Sequence, residues 1–328
     1  MCRAETADHV SVIVPTLKRP DFLRRCIESL AKQETSPAEV LVGVRSDDLL
    51  SHKVLNDFHG RLNVRTVEAR GTGVVGSMNS CLAQANGNLV GIVDDDVELP
   101  PNWLSRMISH LRSHGDVLGA GGRDLLQDDP SRRRAERLTF DVGRIYWFGR
   151  ISGNHHRGGG PPREVDLLRG SNCLYCGDFL RSVGFETNLR GRGAQVHWEL
   201  ALALQVKNRK KRLFYDPETE VIHHVAPRLD NDQLHRGRFS YEATVDLAFN
   251  ETFVVLRHGS GLFRFSIPLW QLAIGSPTSP GVVNVIRTAI TKRAPFWERV
   301  GATMRGRFLA WNAFRRAPKI AKTIPARP

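Results

Sequence analysis

Val10 to Pro15 (VSVIVP) is an unbroken β-branched run, the pattern of a strand buried on both faces. From Asp21 the period changes. Phe22, Leu23, Cys26, Ile27 and Leu30 fall on one face of a helix. Val40 to Val44 (VLVGV) predicts a second strand, which ends in the polar turn Arg45-Ser46-Asp47-Asp48. Asn63 to Val67 alternates as a third. The glycine-rich turn Gly71-Thr72-Gly73 leads into a helix carrying Val74, Val75, Met78, Cys81 and Leu82. Leu89 to Val93 (LVGIV) predicts a fourth strand that runs directly into Asp94-Asp95-Asp96. Strands alternating with helices imply a parallel sheet covered by helices, and such sheets bind ligands at the carboxyl ends of their strands. Pro15-Thr16, Arg45 to Asp48 and the Asp triplet all fall at that edge.

The second half reads differently. Residues 123–166 are rich in Arg, Gly and His and close on Gly158-Gly159-Gly160-Pro161-Pro162, which predicts a long, mobile surface excursion. Order resumes at Leu167. Trp198 to Val206 predicts a helix, and Leu213–Tyr215 and Glu220–Ile222 predict two short strands before His223-His224. From Phe263 onward apolar and aromatic positions (Ile267, Trp270, Ile286, Trp297, Phe308, Trp311) are interleaved with Arg. The expected division is 1–122, 123–228 with the mobile loop, and a helical basic region over 229–328.

Composition sharpens this picture at three points. Of the 328 residues, 41% are hydrophobic, enough for a real core, which excludes a disordered chain. The 47 Lys and Arg against 34 Asp and Glu give +13. Twelve of those cations and a single acid, Glu298, lie from His258 to Pro328, so the excess belongs to the tail, and the first 257 residues are nearly neutral. Basic amphipathic helices with Trp and Phe suit an anionic membrane surface. A soluble helical cap and a nucleic-acid-binding tail are weaker readings, and no nucleic-acid partner is expected. No run reaches the about 18 apolar residues that span a bilayer. Arg264 interrupts the best of them, Leu262 to Gly275. Five Cys and no apolar signal-peptide core predict reduced thiols in a cytoplasmic protein.

Three adjacent carboxylates at a strand end repel one another, and a hard divalent cation, Mg²⁺ or Mn²⁺, relieves the cost. In an extended turn Asp94 and Asp96 point to one side and Asp95 to the other. VSVIVPTLKRP followed by GVVGSMNSCLAQANGNLVGIVDDDVELPPNWL resembles the nucleotide-sugar half of the inverting glycosyltransferases of family 2. RGSNCLYCGDFLRSVGFETNLRGRGAQVHWELALAL and LFYDPETEVIHHVAPR resemble its acceptor half and closing strand, so the resemblance covers residues 10–228. It implies the α/β GT-A fold, a Rossmann-like, mostly parallel mixed sheet flanked by helices. It also implies a metal-binding Asp-x-Asp motif.

Carried onto this chain, the resemblance puts Pro15, Thr16 and Asn79 at the nucleotide. Arg45 and Asp47 replace the usual acidic base-reading turn, with Asp47 the better contact. Asp94 and Asp95 would meet the sugar nucleotide. Asp94, Asp96 and His223 would hold the metal. An inverting transferase needs a base for the acceptor hydroxyl. Val196-His197-Trp198-Glu199 stands at the family's Glu-Asp, which makes Glu199 the first choice and His197 the other. The implied reaction moves a sugar from a UDP-, GDP- or dTDP-linked donor to a saccharide or lipid-linked acceptor in cell-envelope polysaccharide or glycolipid synthesis, at the inner face of the membrane. Two other readings are a nucleotidyltransferase, disfavoured because Thr16 to Pro20 contains no Gly, and a catalytically degenerate sugar-nucleotide-binding or scaffold protein.

Overall fold

The computed structural model describes residues 8–113, 115–127, 137–224, 226, 239–276, 278–291 and 296–318, without the side chains of 287–291. The first elements are β1 (Val10–Pro15), α1 (Pro20–Ala31), β2 (Glu39–Val44), α2 (Leu49–Asn56), β3 (Val64–Glu68), α3 (Gly73–Leu82) and β4 (Leu89–Val93), and all but α2 follow the hydrophobic pattern read from the sequence. Next come β5 (Val97–Glu98), α4 (Trp103–Ser113), β6 (Val117–Leu126), the short hairpin β7 (Arg144–Ile145) and β8 (Ile151–Ser152), β9 (Arg163–Val165) and β10 (Asn172–Cys176). The long β11 (Arg212–His223) completes the strands among the described residues.

The main sheet has the order β3-β2-β1-β4-β10-β6-β11-β5, with β9 also paired to β11. β1, β2, β3 and β4 pair in parallel, as do β6 and β11. β10, β5 and β9 run antiparallel to their neighbours. β11 is one strand where the sequence pattern suggested two. Pro217 has no N–H to give the ladder. The register therefore shifts between Asp216 and Glu220, and pairing to β6 then resumes.

Packing follows the pleat. Val12, Val14, Val42 and Val44 join one apolar cluster with Leu23 and Ile27 of α1 and Trp103 and Met107 of α4. Gly43 meets α3, where a Cβ would lie 2.1 Å from Ser77 Oγ, so only glycine lets that helix approach.

The chain divides into two compact units. The first takes the described residues of 1–145, 151–185 and 209–229, and contains the main sheet. The second takes 146–150, 186–208 and those beyond 229. It is helical, with Trp198–Asn208, Tyr241–His258, Phe263–Ala273, Val282–Thr291 and Phe296–Arg316. The basic tail is thus helical where described. Lys292 and Arg293 lie outside the described residues.

The excursion expected over 123–166 has more local order than its composition suggests. β6 continues to Leu126, and residues 128–136 lie outside the described residues. His155 is buried, and the Tyr215 hydroxyl donates to its carbonyl at 2.8 Å. The cysteines depart from expectation as well. Cys26, Cys81 and Cys173 are free and buried, but Cys176 is disulfide-bonded. Pairing depends on which Cα atoms meet in space, which spacing along the chain does not reveal.

Candidate active site

β1 and β4 are parallel neighbours, so their carboxyl ends lie side by side. Thr16, just beyond β1, donates its hydroxyl to Asp95 Oδ2 at 2.6 Å. After Asp96 the chain enters β5, which pairs with the end of β11 so that His223 stands opposite Val97. That pairing brings His223 to the triplet. Its Nε2 is 3.2 Å from Asp96 Oδ1, and one donor atom each of Asp94, Asp96 and His223 lies within 4.8 Å of the others.

The three carboxylates have different surroundings. Asp95 is fully buried, and burial raises its pKa against the opposing pull of Arg19. Arg19, at the start of α1, reaches Asp95 Oδ1 at 2.7 Å and Asp96 Oδ2 at 3.1 Å. Asp94 is the more open member. Asp95 therefore holds Thr16 and Arg19, while Asp94 and Asp96 share the side that His223 faces. The Asp95 side chain, expected among the sugar-nucleotide contacts, is turned inward because its neighbours at the ends of β1 and α1 supply a hydroxyl and a guanidinium there. Thr16, assigned to the nucleotide, is likewise buried, with its hydroxyl on Asp95. Pro15 is buried at the end of β1.

Behind His223 sits Asp124, near the end of β6 and fully buried. Its Oδ2 accepts from Ser171 Oγ at 2.6 Å, pairs with Arg169 Nε at 2.7 Å and lies 3.7 Å from His223 Nδ1. Burial alone would raise the Asp124 carboxyl, but Arg169, His223 and Ser171 together hold it well below the usual carboxylate range. Burial would likewise discharge His223, yet Asp124 and Asp96 outweigh it and push its pKa up to about 10. Arg19, Asp124 and Arg169 were not legible as site residues. Arg19 stood out only as a cation beside Pro20, and Asp124 only as the acid closing the glycine-rich run of β6.

At the end of β2, Asp48 is buried and caps α2 through Ser51 N at 3.2 Å. Asp47 is the exposed acid of that turn. It pairs with Arg45 Nε at 3.0 Å and Lys18 Nζ at 3.3 Å, and these contacts lower its pKa, Arg45 foremost. Asn79, on α3, meets the backbone of Phe185. Its Nδ2 donates to the Phe185 carbonyl and its Oδ1 accepts from the Phe185 N–H, both at 3.0 Å. Its amide is engaged at both ends because the backbone after helix Gly177–Val183 crosses α3 there.

Glu199 and His197 belong to the second unit. Glu199 is half-buried in the first turn of Trp198–Asn208. His197 precedes that helix with φ +77°, and its Nε2 is buried with no hydrogen-bond partner. Burial lowers its pKa, with Glu251 opposing. His224 pairs with Glu98 at 2.6 Å, away from the metal-ligand set.

A mostly parallel sheet with an Asp-x-Asp and a His converging at its strand ends has known relatives. Residues 11–166 match the family model described as glycosyl transferase family 2. The chain carries a family 2 glycosyltransferase domain. It is 26% identical over 224 residues to a glucosyl-dolichyl phosphate glucuronosyltransferase of Haloferax volcanii, covering 65% of this chain and 68% of that protein. A Pyrobaculum calidifontis mannosyltransferase, solved with GDP-mannose and Mn²⁺, superposes with a TM-score of 0.55 at 15% identity, over 95% of this chain and 88% of that one. Residues 1–349 of TarS from S. aureus, solved with UDP-GlcNAc, give 0.57 at 13% identity, over 94% and 92%. These structural likenesses establish the GT-A fold. The enzyme is thus a glycosyltransferase, and its Asp94–Asp96–His223 cluster lies within that fold at the carboxyl ends of β4 and β11.

Proposed function

We propose that this glycosyltransferase moves a sugar from a nucleoside diphosphate donor to a hydroxyl of a saccharide or lipid-linked acceptor, inverting the anomeric centre. The observation that carries the reading is the convergence of Asp94, Asp96 and His223 within 4.8 Å at the strand ends. Two carboxylate oxygens and one imidazole nitrogen form a donor set that fits Mn²⁺ and tolerates Mg²⁺. A divalent cation held there would neutralise charge on the departing diphosphate. Asp95 and Arg19 hold the backbone turn that presents the two carboxylates, and Asp124 orients His223 from behind. Asp47, exposed at the end of β2, takes the base.

Glu199 serves as the base that removes the acceptor proton. A second assignment, His197, is favoured by its Nε2, which has no hydrogen-bond partner. The named activities of the relatives, on a dolichyl phosphate sugar in one and with GDP-mannose or UDP-GlcNAc bound in the others, support a nucleotide-sugar donor and a lipid-linked acceptor. No helix among the described residues is long and apolar enough to cross a membrane. The basic amphipathic character of the C-terminal helices supports a location at the inner face of the cell membrane, in polysaccharide or glycolipid assembly.

The test is a screen of UDP-, GDP- and dTDP-sugars with and without Mn²⁺, reading released nucleoside diphosphate and the anomeric configuration of the product. Metal-dependent release from one donor class with inversion supports the proposal. Retention, or release unaffected by chelation, overturns it.

A further inference from the structure

Two helices of the second unit bury polar side chains among their inward residues and leave large apolar ones outside. Helix Phe263–Ala273 buries Ser266, Ile267 and Gln271, while Phe265, Leu269 and Leu272 face outward, Phe265 at 66% and Leu269 at 65% exposure. Their spacing of four and three residues is that of a single helix face. Helix Phe296–Arg316 buries Ala302, Thr303, Gly306, Arg307 and Ala310 and exposes Trp297, Phe308 and Trp311. The buried Arg307 guanidinium is held by the carbonyls of Ser279 and Pro280, both at 3.3 Å. In water the ordinary arrangement is the reverse, with Phe and Leu inside and Gln and Arg outside. A loop meets the first of these helices. Trp147 is exposed beside Phe148, whose ring centroid is 5.1 Å from that of Trp270 on the first helix. Gly149, at φ +102°, lets the loop press against that helix, since a Cβ there would lie 2.1 Å from the Ser266 carbonyl.

We infer that these outward faces insert into the headgroup–acyl boundary of an anionic bilayer, with Phe265, Leu269, Phe308 and the flanking tryptophans in the apolar layer. The inference rests on the membrane location proposed above and deepens it, because attachment then depends on buried apolar side chains and not on charge alone. Neither helix crosses: one has 11 residues, with Pro268 inside, and the other carries exposed Arg305, Arg315 and Arg316. Such helices lie in the plane of the interface. Charge selects the occupant. Arg264, Arg305, Arg315 and Arg316 are exposed on these two helices against one exposed acid, Glu298, so a second copy of the same face would be repelled, whereas anionic headgroups are attracted.

The test uses the full chain and vesicles of phosphatidylcholine with and without phosphatidylglycerol. Co-flotation is measured for the wild type, for Phe265→Asp/Leu269→Asp and for Phe308→Asp. Circular dichroism and hydrolysis of a soluble donor serve as controls, since the altered side chains point outward. We expect the apolar variants to partition at least about tenfold more weakly with fold and hydrolysis retained, and chain-brominated lipid to quench tryptophan emission in the wild type. Three results overturn the inference. Flotation of the variants equal to wild type, abolished by salt and without quenching, leaves attachment by charge alone, and the membrane location then stands without insertion. Failure of the wild type to float at low salt removes both. A homodimer that Phe308→Asp dissociates assigns the face to a second copy.

Discussion

Nε2 of His223 stands 3.2 Å from Oδ1 of Asp96, although one closes the last strand of the sheet and the other follows the fourth. The pair exists because β5 doubles back along β11. Asp96→Ala should abolish transfer and weaken Mn²⁺-dependent donor binding by at least about 100-fold, with the fold retained. Titration calorimetry with and without Mn²⁺, beside circular dichroism, checks it. Undiminished affinity in a folded variant would remove the metal site.

Asp124 does not join the metal-ligand set, but its charge faces His223 from the Nδ1 side at 3.7 Å. Outer partners of this kind change metal affinity about 10–100-fold. Asp124→Asn should therefore weaken Mn²⁺ binding within that range while donor binding without metal is unchanged. An equal loss in both would mean that the substitution damages the sheet and not the orientation of His223.

The Asn79 amide clasps the backbone of Phe185 at both ends. Asn79→Ala leaves two backbone groups without that partner and should lower stability by about 1–3 kcal/mol. Donor KM should change little. Urea denaturation and steady-state kinetics separate the two outcomes, and a large rise in KM at unchanged stability would assign Asn79 to the nucleotide.

A base acts mainly in the transition state, so Glu199→Gln should lower kcat far more than it weakens donor binding, with His197→Ala milder. An active Glu199 variant beside a dead His197 variant reverses the assignment.

In the second unit, Glu186 accepts from His258 at 2.7 Å. Burial would raise its pKa, but the hydrogen bonds from His258 and Asn188 prevail and bring it down to about 2. A depressed carboxyl stabilises the fold above its unfolded pKa, and that stability fades as pH falls through the folded value. The contribution, on the order of 2–3 kcal/mol, should be complete above about pH 4.5 and lost towards about pH 2. Glu186→Gln should flatten this acid limb, as thermal melts across that window would show.

β1, α1, β2, α3 and β4 were readable because each buries a continuous apolar run or stripe, and burial is written in local periodicity. The grouping of Asp94 with Asp96 was readable for the same reason, since alternate residues in an extended turn share a side. The resemblance placed His223 with them. Tertiary structure alone decided the rest of the site. Arg19, Asp124 and Arg169 converge through strand order, and a charge reveals nothing about its partner until the sheet brings the two together. The Asn79 side chain meets the Phe185 backbone because two chain segments cross there. The composition of the tail announced amphipathic helices. Which of their faces looks inward depends on neighbours far along the chain, and packing put Gln271 and Arg307 inside and left Phe265 and Phe308 outside.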